Sequence, residues 1–165
     1  MRRFVPFLLT AALGLAVVQP VAARSAGPSI VETAIAVNAE TGEFSQLIAA
    51  VVRTGLADTL DGNRQFTVFA PTDAAFAALY ETLGVAGVDE IPVDTLRAVL
   101  LYHVAPGERF SDQVLAAGRV RTLSKGFLRV SVHDGGAFVN DARIVAPDVD
   151  ASNGVIHVID GVLLP

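Results

Sequence analysis

Up to about residue 118 the apolar positions recur at the helical period, and from Arg119 onward they alternate every second residue. Helices therefore come first and strands last, which predicts an α+β domain and not a doubly wound α/β sheet. Ser29-Ile30-Val31-Glu32 has capping-box spacing and predicts a helix start. Phe44, Leu47, Ile48, Val51 and Val52 share one face of a helix over 43–53 that Gly55 can end. Asp61-Gly62-Asn63 reads as a turn and 66–69 as a short strand. Phe76, Leu79, Tyr80 and Leu83 then return to helical spacing, with Thr72 or Asp73 as N-cap and Gly84 as the stop. Two further helices fit 94–104 and 111–117; in the first, Leu96, Val99 and Leu100 put His103 on the inward stripe. Strands are predicted over 120–123, 127–132, 137–140, 143–146, 155–159 and 162–164. Gly135-Gly136, Asn140-Asp141 and Asn153-Gly154 supply the turns.

The first 23 residues do not fit this pattern. Arg2 and Arg3 precede an apolar run from Phe4 to Val18, followed by Gln19-Pro20 and the small residues Val21-Ala22-Ala23. That is the layout of a cleaved secretory signal, and the run is shorter than the ~20 residues that span a bilayer. The expected organisation is a leader over 1–23, a short segment over 24–28 and one domain over 29–165, located in the periplasm or the medium. A retained leader is the alternative. No second apolar span follows, so no membrane span is expected after cleavage.

Composition narrows the chemistry. The 165 residues are 52 % hydrophobic and 18 % charged with a formal net charge of -5, the balance of one folded domain. An acidic chain is a poor partner for nucleic acid, which is met with clustered Lys and Arg. The chain has no cysteine, so an exported domain must be held by its core alone, and thiol catalysis and thiolate metal sites are excluded. No Gly-x-Ser-x-Gly elbow, phosphate-cradling glycine loop or His-Glu-x-x-His is present. His103, His133 and His157 show no metal-ligand spacing, and His133 reads as a solvated hairpin residue. Neither a catalytic residue, a cofactor nor a metal is expected. Asp148 and Asp150 read as solvated loop carboxylates.

Three segments carry a family resemblance. The run from Phe66 to Phe76, with Phe69, Pro71, Thr72 and Asp73, resembles the first signature block of fasciclin domains. The run from Asn153 and Gly154 through His157 to Asp160, with Val162-Leu163-Leu164-Pro165, is similar to the second. Leu101-Tyr102-His103-Val104 with Pro106-Gly107 resembles the family's Tyr-His segment between them. The resemblance implies a wedge or sandwich of about seven strands flanked by helices, and a non-enzymatic, exported binding and cell-adhesion module. Its partners would be a cell-surface protein, a polysaccharide or a matrix polymer. A periplasmic carrier or sensor of a small hydrophobic ligand is the other reading. The blocks themselves describe how a core closes, not a reaction: Pro71 disfavours helix at Ala70, and Asn153-Gly154 tolerates a tight turn.

Two surfaces are candidates for contact. In animal members of the family the Tyr-His segment is associated with integrin adhesion, which carried over would concern Leu100, Leu101, Tyr102 and His103. The competing reading is a core histidine that fastens a helix end to the sheet, and the bacterial look of the leader favours it. The second candidate is particular to this chain. Arg119, Arg121, Lys125 and Arg129 lie in one stretch without an acidic residue, and alternation puts Arg119 and Arg121 on one strand face. These cations either meet an anionic polymer or lipid headgroup or simply protect a sheet edge. A single domain bridges two surfaces only by weak homo-oligomerisation or through two faces.

Overall fold

The computed structural model describes residues 27–165, so the leader and its cleavage site lie outside the described residues. The chain runs α1 (Ile30–Thr41), α2 (Ser45–Thr54), α3 (Ala57–Leu60), β1 (Phe66–Pro71), α4 (Asp73–Leu83), a 3-10 turn (Val88–Glu90), α5 (Val93–Tyr102), β2 (Val104–Pro106), α6 (Ser111–Ala117), β3 (Arg119–Arg121), β4 (Phe127–His133), β5 (Gly136–Val139), β6 (Ala142–Ala151) and β7 (Gly154–Ile159). The seven strands form one sheet in the order β2-β1-β7-β6-β5-β4-β3. All neighbours are antiparallel except β1 and β7, which pair in parallel from Phe66 opposite Gly154 to Pro71 opposite Ile159. The sheet curls on itself: the Leu123 N–H, just past β3, donates to the Val104 carbonyl of β2 at 2.8 Å. The expected α+β architecture of seven strands with flanking helices is the observed one.

The strand pattern explains the core. Every residue of β1 and of β7 is buried, as expected of strands covered on both faces. Alternate side chains feed two clusters. Phe66, Val68, Ala70, Ile156 and Val158 face the helices, where Ile30, Leu47, Leu60, Phe76, Leu96 and Leu100 pack on them. Phe69 and Ile159 face inside the curl with Val120, Leu128, Val130, Val139, Ala142 and Ile144. In β3 and in β4 as far as Val130, buried and exposed residues alternate, the buried ones facing inside the curl.

The signature residues hold these layers together. Ser29 caps α1 with the expected reciprocal box, its hydroxyl accepting from Glu32 N–H and the Glu32 carboxylate from Ser29 N–H. Thr72 caps α4 by accepting from Ala75 N–H at 3.3 Å. Asp73 reaches to another helix. Its carboxylate accepts from Gln46 N–H at 2.8 Å and so caps the start of α2 across the fold. Asn153 accepts from Ile30 N–H at 2.8 Å and donates to the Leu60 carbonyl, tying α1 and α3 to the mouth of β7. Asp160 closes the far end, accepting from Arg143 N–H at 2.8 Å.

Several expectations need correction. Val104 is not the end of a helix: α5 stops at Tyr102, and Val104 opens β2, whose pairing with Val68 outcompetes another helical turn. Residues 162–164 form no strand, because the Leu163 N–H donates to the His103 ring and has no strand partner. β6 extends to Ala151 through two irregularities in its pairing with β7, so Asp148 and Asp150 lie in a bulged strand and not in a loop. The short α3 and the 3-10 turn are additional elements, too brief to show a period in the sequence.

Gly154 marks the tightest point of the fold. A Cβ there would sit 1.9 Å from the Phe66 carbonyl oxygen and 2.8 Å from the Ile30 Cδ1. The obstacle is backbone in a central strand and cannot rotate away. Gly154→Ala is therefore expected to cost about 3 kcal/mol or more of unfolding free energy in urea titrations; a loss below half that would show that β1 and β7 can part without cost. Thr72→Ala and Asp73→Ala, each removing one cap, are expected to cost about 1 kcal/mol apiece by the same measurement.

Candidate functional site

The Tyr-His segment closes α5 and points inward. Leu100, Tyr102 and His103 are buried and Leu101 is half-buried, so three of the four candidate contact side chains present almost no surface to a partner. The Tyr102 hydroxyl donates to the Phe127 carbonyl at 3.1 Å and props the β3–β4 hairpin from below. The hairpin lies so close to this ring that a Cβ on Gly126 would stand 2.6 Å from it. His103, the C-cap of α5, places its Nδ1 2.7 Å from the Val99 carbonyl and its Nε2 2.9 Å from the Leu163 N–H. A carbonyl on one side and an N–H on the other fix a neutral ring with its proton on Nδ1. Burial pushes His103 down from 6.5 to about 4, while the bond to Val99 works the other way.

His157 is arranged in the mirrored sense on β7. Its Nε2 donates to the Arg109 carbonyl at 2.9 Å, its Nδ1 accepts from the Asp148 N–H at 3.2 Å, and its ring stacks on Phe69 at 5.5 Å. Burial lowers its pKa, opposed by the Arg109 bond and the Asp148 charge. The Asp148 carboxylate in turn accepts from the Ser111 N–H and hydroxyl, both at 2.6 Å, at the start of α6. Both buried imidazoles thus have both nitrogens engaged by backbone groups, leaving neither a free lone pair for a metal nor a base for a nucleophile. No buried side-chain nitrogen or oxygen among the described residues lacks a hydrogen-bond partner.

The basic stretch lies on the opposite kind of surface. Arg119, Arg121, Lys125 and Arg129 are all exposed. In the β3–β4 register Arg119 stands opposite Arg129 and Arg121 opposite Phe127, so the three arginines share the outer face of the curl. Lys125 occupies the hairpin turn with φ of 70° and stands apart from that face. Pairing extends the face beyond what the linear sequence showed: Ser131 is opposite Phe138, and Phe138 opposite Arg143. The Arg119 guanidinium lies over the half-exposed Phe127 ring, 4.6 Å from its centroid. His133, in sequence a plain hairpin residue, stacks on Phe138 at 3.9 Å with only 9° between the rings. Arg143, Phe138 and His133 complete the face from β4, β5 and β6, and only the period-two alternation hints at this in the sequence.

The neutral buried histidines set a pH dependence. His103 is uncharged in the fold and protonates in the unfolded chain below about 6.5, so between about 4 and 6.5 the unfolded state binds more protons. Stability is complete above that window and falls as pH drops through it, by on the order of 3 kcal/mol for this group; His157 acts in the same direction. Urea titrations at several pH values should show this loss, and His103→Gln, which keeps a donor and an acceptor but does not titrate, should flatten it. An unchanged slope in that variant would remove His103 as the cause.

The sequence profile of the fasciclin domain matches residues 42–165. "Protein sll1483" of Synechocystis is 46 % identical over 149 residues, covering 87 % of this chain and 77 % of that protein. The cell surface glycolipoprotein MPB83 of Mycobacterium bovis is 36 % identical over 112 residues, covering 67 % of this chain and 48 % of that protein. Among solved structures, a domain pair from the insect cell adhesion molecule Fasciclin I superposes with a TM-score of 0.69 at 20 % identity, over 84 % of this chain and 51 % of that one. The profile match takes in both signature blocks and the Tyr-His segment, whose residues build the β1–β7 clamp and its fastenings. This chain belongs to the fasciclin-domain family.

Proposed function

We propose that the protein is exported and acts as a non-enzymatic binding and adhesion module whose partner is a surface protein, glycan or matrix polymer. The observation that carries this reading is the internal use of the buried polar side chains: His103, His157 and the cap residue Asp73 bind the fold's own backbone, and no buried polar side-chain atom among the described residues lacks a partner. What remains for function is the outer surface. Kinship with a cell-surface glycolipoprotein supports an extracytoplasmic setting, and among the described residues no helix is long and apolar enough to cross a membrane. Contact through one face is weak for a single copy and grows when many copies are displayed together.

The carrier reading would need a cavity. The apolar cleft between α1, α2 and the sheet, bordered by Ile30, Leu47, Val51, Val68 and Ile156, measures about 60 Å³. Ligand pockets for drug-sized molecules run to roughly 300–1,000 Å³. A roomier groove of about 820 Å³ lies beside Arg119, Arg129 and Asp141, but its open, polar lining does not suit a hydrophobic ligand; the clefts favour the adhesion reading.

The test is retention of protein-coated beads on cell-envelope material, alongside native mass spectrometry of the free protein. Coated beads should be held while blank beads wash through, and the free protein should fly without a bound small molecule. A stoichiometric co-purifying ligand together with unretained beads would replace the module with a carrier.

A further inference from the structure

The outer face of β3 to β6 breaks a rule of sheet construction. Arg119 and Arg129 stand directly opposite one another on adjacent strands, and like charges in that position destabilise a sheet. Arg121 and Arg143 share the same face. None of the four guanidinium groups has an ion-pair partner among the described residues. The chain as a whole is acidic, with 17 acidic against 12 basic residues, so carboxylates were available to neutralise the face. A local conflict left uncorrected in an otherwise self-consistent fold marks a place where something other than stability is served.

The rest of the face fits a particular occupant. Arg forks bind carboxylate and sulfate groups through paired N–H donors, and the Ser131 hydroxyl adds a neutral donor and acceptor between them. The aromatic rings of the face already have stacking partners, Arg119 over the half-exposed Phe127 and His133 on Phe138. Bases of single-stranded nucleic acid would have to displace these partners to stack there. Asp134 and Asp141 sit in the turns at the two ends of β5, and the Asp160 carboxylate accepts from the Arg143 N–H at the edge of the face. A broad anionic membrane would press on these carboxylates as well as on the cations. A narrow chain can cross between them.

We infer that the outer face of β3–β6, with Arg119, Arg121, Arg129 and Arg143 around Phe127 and Ser131, is a docking surface for an acidic polysaccharide carrying carboxylate or sulfate groups. This rests on the binding-module reading and gives it a surface and a partner chemistry. Lys125, on the turn, approaches the polymer from the side and adds charge without geometry.

The experiment is affinity chromatography of the full mature chain on immobilised alginate, which offers carboxylates, and immobilised heparin, which adds sulfates. Retention is expected at ~20 mM salt and lost by ~300 mM, as for exposed charges. Arg121→Gln with Arg129→Gln should lower retention by about tenfold without lowering the melting temperature, since it also relieves like-charge repulsion. Arg64→Gln with Arg97→Gln removes two equally exposed arginines outside the face and should leave retention unchanged. Which column binds better identifies the anionic group. The proposal is overturned if neither polymer retains the protein, or if the two double variants lose retention equally, which would reduce the effect to net charge. It is equally overturned if phosphatidylglycerol vesicles or single-stranded oligothymidylate bind more tightly than both polymers. Failure on the columns with coated beads still held on envelope material would sink this surface and leave the module reading standing.

Discussion

The parallel pairing of β1 with β7 is the constraint on which the rest of the molecule depends. Two six-residue strands, distant in sequence, lie side by side with every residue buried. Their alternate side chains make the floor of the helical cluster and the wall of the cluster inside the curl, so the two halves of the core share one backbone. The pairing starts where Gly154 passes the Phe66 carbonyl, at a distance that excludes any side chain. Such non-local pairing needs loop closure before its contacts reward it. Hydrogen bonds fasten the pair at both ends, from the Phe66 N–H to the Asn153 carbonyl at the mouth and from the Thr72 N–H to the Ile159 carbonyl at the exit.

The buried polar residues follow from the same constraint. A sheet covered on both sides leaves loop and helix-end backbone groups away from water, and each needs a partner. Histidine meets the need where one N–H and one carbonyl converge, because the neutral ring donates from one nitrogen and accepts at the other. His103 does this between α5 and the C-terminal segment, and His157 between Arg109 and Asp148. Burial favours the neutral form of both rings, and each commits both of its nitrogens to backbone groups. The two signature histidines are thus turned away from any partner.

The outer face of β3 and β4 is built differently, with exposed side chains alternating with ones buried inside the curl. Inside the curl, Val120, Leu128 and Val130 secure the hairpin; outside it, Arg119, Phe127 and Arg129 are free to differ without touching the core.

How much of this was legible without coordinates depends on how local the cause was. The cap at Ser29, a cap at Thr72 or Asp73, the amphipathic helices, strands β4 and β5 and the first half of β6 follow from short-range periodicity and side-chain chemistry, and the sequence alone determined them. It also determined that His103 faces inward, since Leu96, Val99 and Leu100 share its stripe. Val104, Leu163 and Asp73 were decided only by tertiary structure. Val104 leaves the helix because Val68 offers a strand edge, Leu163 forms no strand because an imidazole takes its N–H, and Asp73 caps a helix other than its own. The arginine face belongs to the same class: Arg119, Arg129, Phe138 and Arg143 become neighbours through strand register, and register is a property of the paired sheet, not of any one strand.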